Sequence, residues 1–372
     1  MLIGVPKETA PGERRVAMVP DVVKRLEGKG VEVVIEAGAG QGALIPDAAF
    51  EEAGASVGDP WGADIVVKVA PPSAEEVAKL SSGQVLIGFL APLTAPDTIK
   101  ALAEAGATAF AMEAIPRISR AQSMDALSSQ FNVAGYKAAL LGAQHSTRFY
   151  PMLTTAAGTS PPAKVLVLGV GVAGLQALAT AKRLGARATG YDVRPEVAEQ
   201  VQSLGASWLD LGVEASGEGG YARDLSEEER DTQQDMLTEA IGDFDVVITT
   251  ALVPGRRAPT LVTETAVKAM RSGSVVVDLA GESGGNCELS EPDEVVVAHE
   301  VTIVAPTNLP ATMPEHASQF FARNVQNLVE LMLGEEGELE LDFDDPIIAE
   351  GCVVRDGEIV HEGARKTVEA AA

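Results

Sequence analysis

Three glycines follow an apolar run in Lys164-Val-Leu-Val-Leu-Gly169-Val-Gly171-Val-Ala-Gly174-Leu-Gln, and this G-x-G-x-x-G spacing suits a strand that turns sharply into a helix. Gly169 permits the tight turn, Gly171 lets the backbone approach a pyrophosphate, and Gly174 allows the helix to pack closely on the strand; the helix N-terminus then faces the phosphates. Alone the pattern is weak, because close-packed turns also select glycine. Asp192 strengthens it: it ends the next strand-like run, 18 residues past Gly174, where a carboxylate can accept both ribose hydroxyls of NAD and repel a 2′-phosphate. Arg194 leaves two readings open, accommodation of the 2′-phosphate of NADP or an ion pair with Asp192, and S-adenosylmethionine is a further ligand that the glycines admit. Thr249-Thr250-Ala251-Leu252 ends a later strand on the expected carboxyl edge and is predicted to line the adenosine side.

A second constellation lies in Ile115-Pro-Arg117-Ile-Ser119-Arg120-Ala-Gln122-Ser123-Met-Asp125-Ala-Leu-Ser128-Ser129-Gln130. An arginine, a glutamine amide and a carboxylate within nine residues can orient a carboxamide without moving a proton, which is what direct hydride exchange between two nicotinamides requires. Asp125 or a nearby serine is also a natural helix N-cap. A dehydrogenase acting on a hydroxy or amino acid needs a general acid or base instead, and His145, His299, His316 and His361 all lie outside the first 115 residues. Arg15 and Lys68 can hold a substrate carboxylate, or serve as an ion-pairing arginine and a snorkelling lysine. The glycine-rich stretch around Gly217, Gly219, Gly220 and Tyr221 reads as a flap or a plain surface loop, and Gln233 on the helix after it is expected to face the nucleotide.

These residues need a scaffold that presents strand ends. In the first 115 residues strand-like runs (Leu2–Val5, 31–35, 65–69, 85–89, 108–112) alternate with helix-like ones (20–29, 74–80, 96–104), and a second series starts at Lys164. Residues 125–150 read as a long connecting helix and 154–163 as a loop. Residues 315–333 form an amphipathic helix with Phe320, Phe321, Val325, Leu328, Val329 and Met332 on one face, returning to the first domain. The expected fold class is α/β: two Rossmann-like doubly wound parallel-sheet domains joined by a long helix, the first discontinuous, with boundaries 1–127 plus 310–372 and 128–309.

The 372 residues carry 54 acidic and 28 basic side chains, a formal charge of −26. Such a surface repels phosphate backbones and anionic headgroups, so nucleic-acid binding is excluded. Nine acids between Arg323 and Arg355 read as a solvated face. Uncharged runs stop short of about 20 residues, arguing against direct membrane insertion, and the N-terminus lacks a secretory leader, so a cytoplasmic location is expected. Cys287 and Cys352 have no His or Cys at ligand spacing, so neither a disulfide framework nor a metal site is expected.

The chain resembles the NAD(H)-binding component, the α subunit, of proton-translocating NAD(P) transhydrogenase. The likeness spans almost its whole length and is most specific in Pro116-Arg-Ile-Ser-Arg-Ala-Gln-Ser-Met-Asp125, Thr155-Ala-Ala-Gly-Thr159, Leu168-Gly-Val-Gly-Val-Ala-Gly-Leu-Gln176, Gly219-Gly-Tyr-Ala222, Thr249-Thr-Ala-Leu252 and Gly284-Gly-Asn-Cys287. The resemblance implies that Arg117, Gln122, Asp125 and Ser128 position the dihydronicotinamide. It implies nucleotide contacts from Ser119, Val172, Asp192, Val193, Arg194, Gly220, Gln233 and Leu252, and a flap carrying Tyr221. It further implies NAD(H) on this chain, NADP(H) on a partner subunit, a homodimer, and membrane-spanning partner chains that hold it on the cytoplasmic face of the membrane, hydride passing from NADH to NADP⁺ while protons cross. The chain looks like the three-subunit arrangement, with the membrane segments on separate chains. The alternative is an alanine dehydrogenase-like amino-acid dehydrogenase, which shares the architecture and the positions of Arg15 and Lys68. Its active-site histidine would fall where this chain has Ala91, and its aspartate where this chain has Glu282.

Overall fold

Runs such as Ile65-Val-Val and Val246-Val-Ile-Thr have no polar face to give to solvent, and every residue in them is buried. Strands that are apolar on both sides belong in parallel sheets covered by helices. The structure, a computed structural model, describes residues 1–215, 223, 225–253, 255–334 and 337–371 and contains two such sheets. They sit in two units, residues 1–130 with 310–372 and residues 131–309. The division falls inside the helix Ala126–His145.

In the first unit eight strands lie in the order Glu358–Ile359, Cys352–Arg355, Thr108–Ala111, Val85–Gly88, Ile65–Val67, Leu2–Val5, Glu32–Ile35, Ser56–Val57. The six contributed by the N-terminal stretch are parallel. The two from the C-terminal stretch run antiparallel at one edge, so the first unit is discontinuous within its own sheet. The second unit orders its strands Ser207–Trp208, Arg187–Tyr191, Lys164–Leu168, Val246–Thr249, Val275–Asp278, Val301–Val304, Val295–Ala298, with the last antiparallel to its neighbour.

Both sheets are therefore mixed rather than wholly parallel, for a local reason. The turns His299-Glu300 (φ 51° and 62°) and Asp356-Gly357 (φ 49° and 84°) have two left-handed residues, the conformation of a two-residue hairpin, and only antiparallel strands can be joined so tightly. Residues 154–163, expected as a loop, also hold a short hairpin, Leu153–Thr155 against Gly158–Ser160.

Local chemistry starts the helices. Pro20 and Pro96 sit in the first turns of Pro20–Glu27 and Pro96–Glu104, where a missing N–H costs nothing. Ser73 with Glu76, and Ser226 with Glu229, form capping boxes. The helix Pro314–Leu331 buries Phe321, Val325, Leu328 and Val329 in the first unit's core, but turns Phe320 outward, 37% exposed, because neighbouring residues on a helix point about 100° apart. Among the described residues no helix is long and apolar enough to cross a membrane.

The two adjacent phenylalanines give a direct check on this packing. Phe321→Ala is expected to cost about 3–5 kcal/mol and Phe320→Ala about 1 kcal/mol or less in denaturant unfolding, and equal losses would contradict the assigned face.

Candidate functional site

In the second unit the strand Lys164–Leu168 leads into the helix Val172–Arg183 through the glycine turn. Gly169 has φ +86°, and a Cβ on Gly174 would lie 2.0 Å from the Gly169 carbonyl oxygen, so both positions require glycine. Gly171 is the helix N-cap, and a Cβ there would meet nothing. Room for a ligand thus lies over the positive end of the helix dipole. Val172, the first helical residue, is exposed.

Asp192 is buried at the end of the neighbouring strand. Its Oδ2 accepts the Val170 N–H at 2.7 Å, and its Oδ1 accepts the Arg194 N–H at 2.9 Å. The Arg194 guanidinium also forks onto both oxygens, from Nε and from Nη2, at 2.8 Å each. Of the two readings of Arg194, the structure shows the ion pair. The Val170 bond ties the carboxylate to the glycine turn, while a ribose diol would compete with the guanidinium for the same oxygens. Val193 is half-buried between them.

Gln233 is buried, and its amide donates to the Tyr191 hydroxyl at 2.9 Å; it holds the residue that precedes Asp192. Burial raises the Tyr191 phenol above its usual range. Gly217, Gly219, Gly220 and Tyr221 lie outside the described residues, as does Pro254.

The loop after Val246–Thr249 is stitched to its surroundings. Thr250 Oγ1 donates to the Gly169 carbonyl at 2.7 Å. Thr249 Oγ1 donates to Asp278 Oδ1 at 2.9 Å, and Asp278, fully buried, also accepts from Ala280 N, Cys287 N and Ser290 Oγ. Asn286 holds Ala251 by both its N–H and its carbonyl. Neither Asp278 nor Asn286 is singled out by residue type alone; the available signal is a carboxylate closing the apolar run Val275-Val-Val. Ala251 and Leu252 are half-buried. Burial pushes the Cys287 and Cys352 thiols up to about 11 and about 12, so both stay protonated.

In the first unit Ser119, Arg120 and Gln122 are exposed on the short 3-10 turn Ser119–Met124, whose Ala121 and Met124 are buried, and Arg117 is exposed just before it. Asp125 accepts from Ser128 N at 2.8 Å and from Ser128 Oγ at 2.6 Å. It is therefore the cap of the helix Ala126–His145, and capping fixes both side chains in place. Arg120 pairs in a fork with Asp345, 2.7 Å on each arm, and Asn324 and Asn327 donate to the Ser123 carbonyl. The turn is anchored from three sides while Gln122 projects outward.

Arg15 and Lys68 are both buried and ion-paired. Arg15 meets Glu13 in a fork and reaches Gln130 Oε1 at 2.9 Å. Lys68 lies 3.1 Å from Glu8 and 2.9 Å from Glu76. Burial raises the Glu8 carboxyl; for Glu76 burial is outweighed by the Ser73 N–H and the Lys68 ammonium, and its carboxyl is lowered. Ala91 takes φ +50°, and no imidazole stands at this position. Its N–H and that of Leu90 donate to Glu113 Oε1 at 2.6 and 2.9 Å, while Glu113 Oε2 is buried with no hydrogen-bond partner among the described residues. Glu282 Oε1 accepts the Asn308 N–H.

Burial pushes Glu113 up to about 7. A carboxyl raised in the folded state holds its proton more tightly there than in the unfolded chain, so its contribution to stability falls as pH rises from about 4.5 to about 7. Glu113→Gln, which keeps the acceptor for Leu90 and Ala91, should gain on the unmutated chain by about 2–3 kcal/mol between pH 5 and pH 8; a pH-independent difference in unfolding free energy would refute this.

Two family models match the chain: that for the N-terminal domain of alanine dehydrogenase/PNT over residues 4–134, and that for the C-terminal domain over residues 138–362. The first segment of NAD(P) transhydrogenase subunit alpha from Rhodospirillum rubrum is 48% identical, over 97% of this chain and 98% of that protein. A crystal structure of transhydrogenase from Sinorhizobium meliloti superimposes with a TM-score of 0.86 at 42% identity, covering 97% of this chain and 99% of that one. An L-alanine dehydrogenase structure reaches 0.84 at 28% identity, with 100% of each chain covered. Backbone shape barely separates the two, whereas sequence identity favours the transhydrogenases. The chain belongs to the alanine dehydrogenase/PNT family, and within it to the NAD(P) transhydrogenase alpha subunits.

Proposed function

We propose that this chain binds NAD(H) and exchanges hydride with NADP(H) held on a partner subunit, in a complex that couples the exchange to proton translocation. The observation that carries this reading is a pairing of features: a built dinucleotide turn anchored to a buried Asp192, and an intact Arg117-Gln122-Asp125-Ser128 set, in a chain whose position 91 has no acid/base group. The open space at Gly171 fits a pyrophosphate, and Asp192 accepts a ribose hydroxyl once the Arg194 guanidinium gives up one arm of its fork. Bound NADH supplies the hydride. The chain's own work is then positional. Gly169, Gly171, Gly174 and Val172 form the phosphate cradle, Ala251 and Leu252 flank the adenosine side, Gln233 supports the cradle through the Tyr191 hydroxyl, and Ser119 is a further nucleotide contact. Arg117 and Gln122 orient the carboxamide, while Asp125 and Ser128 hold that turn in shape. Because neither nicotinamide ring exchanges a proton during transfer, orientation dominates the rate.

Partner chains are supported by the Rhodospirillum rubrum relative, which is itself one segment of a divided alpha subunit. We place the chain on the cytoplasmic face of the membrane through those partners. Phe149, Met152 and Leu153, exposed at and before the hairpin of the second unit, support a homodimer.

The decisive assay is hydride transfer from NADH to an NADP⁺ analogue by this chain alone and then mixed with a soluble NADP(H)-binding transhydrogenase component. Activity is expected only in the mixture. NADH oxidation by the lone chain with pyruvate and ammonium would establish the amino-acid dehydrogenase reading instead. Gln122→Asn, one methylene shorter, should slow transfer about tenfold or more with NADH affinity nearly unchanged; weak binding with normal transfer in stopped-flow would contradict the assigned role. Asp192→Ala should weaken NADH and narrow its preference over NADPH, and equal binding of both by the unmutated chain would remove the basis of the assignment.

A further inference from the structure

The loop that follows the strand Val246–Thr249 leaves the sheet ladder, so its backbone groups need other partners. Fully buried Asn286 supplies them. Its Oδ1 accepts the Ala251 N–H at 3.0 Å, and its Nδ2 donates to the Ala251 carbonyl at 2.9 Å and to the Pro259 carbonyl at 2.7 Å. Its own carbonyl accepts from Leu261 N and Val262 N at 2.8 and 3.0 Å. One side chain thus pairs with both polar groups of Ala251, as a neighbouring strand would. Two carbonyls on one side and an N–H on the other also fix which end of the amide is nitrogen. The residue is itself held: Gly284 and Gly285 make left-handed turns into it, and the next N–H, that of Cys287, is bound to Asp278.

We propose that Asn286 is a positioning residue that sets the Ala251-Leu252 loop in its nucleotide-binding conformation. The proposal rests on the reading above that this loop contacts NAD(H). No other side chain of similar size satisfies the same three partners. Aspartate would turn an oxygen toward two carbonyls, and serine is too short to span them. The role is separable from general stability because Ser290, in the same network, touches Asp278 at 2.7 Å and makes none of the bonds to Ala251.

The test compares Asn286→Asp, Asn286→Ser, Ser290→Ala and Leu252→Ala in the full chain. The readouts are the NADH dissociation constant, the fraction of binding-competent protein, and the saturating hydride-transfer rate in the mixed assay. Both Asn286 variants should raise the NADH dissociation constant, by about tenfold for aspartate, with the saturating rate per competent site within about twofold. Ser290→Ala should lower the thermal midpoint and leave the dissociation constant within about twofold. A reduced competent fraction with an unchanged dissociation constant would mean that Asn286 is merely structural and would overturn the proposal. An unchanged constant in Leu252→Ala would remove the reading of the loop as a nucleotide contact. Weaker binding in Leu252→Ala with normal binding in both Asn286 variants would overturn the positioning role alone.

Discussion

Backbone N–H groups that leave the carboxyl end of a parallel sheet have lost the ladder that satisfied them, and those that are buried must find another acceptor. Both units answer this in one way. A side-chain oxygen beyond one strand accepts N–H groups beyond the neighbouring strand: Glu8 takes Val69 and Ala70, Glu113 takes Leu90 and Ala91, Asp192 takes Val170, and Asn286 takes Ala251. Each link ties two adjacent strand ends together at the edge where α/β folds place their ligands. Arg15 and Lys68 are occupied in ion pairs, and the exposed Ser119 and Gln122 are carried by a turn that Asp345, Asn324 and Asn327 anchor.

This arrangement explains why shape alone chooses poorly between two chemistries. A transhydrogenase and an L-alanine dehydrogenase superimpose almost equally well, at TM-scores of 0.86 and 0.84, because backbone shape is set by the packed sheets and helices and not by the few side chains that do chemistry. What differs is a few side chains on that frame. Position 91 is an alanine held in a left-handed turn by Glu113, where proton transfer would need an imidazole. The turn from Arg117 to Ser128 instead carries a guanidinium, an amide and a carboxylate that caps the following helix.

Much of the fold is legible in the sequence because hydrophobic periodicity is local. The five strands read from apolar runs in the first 115 residues all appear in the structure, within two residues at either end, and the helix 96–104 matches at both ends. What is not legible is paired across short turns. Val295–Ala298 and Cys352–Arg355 are short apolar runs like the others, but each pairs with a strand across a tight turn, at His299-Glu300 and Asp356-Gly357, and that reversal is what the apolar pattern does not carry. Phe320 and Phe321 share a face as far as apolarity goes, and only helix phase against a real core separates them.

The site divides along the same line. The glycine spacing, the carboxylate of Asp192 and the Arg117-Gln122-Asp125 cluster are properties of the sequence itself, since steric demand at Gly169 and Gly174 and the charge of a side chain do not wait for neighbours. Whether Arg194 opposes or embraces Asp192, whether Arg15 and Lys68 are available or paired, and what Asp278 and Asn286 do are decided elsewhere. Those answers depend on which groups the fold brings within about 3 Å of one another, across separations as long as the 115 residues from Arg15 to Gln130, and where burial has removed the competing water an unmade bond becomes costly.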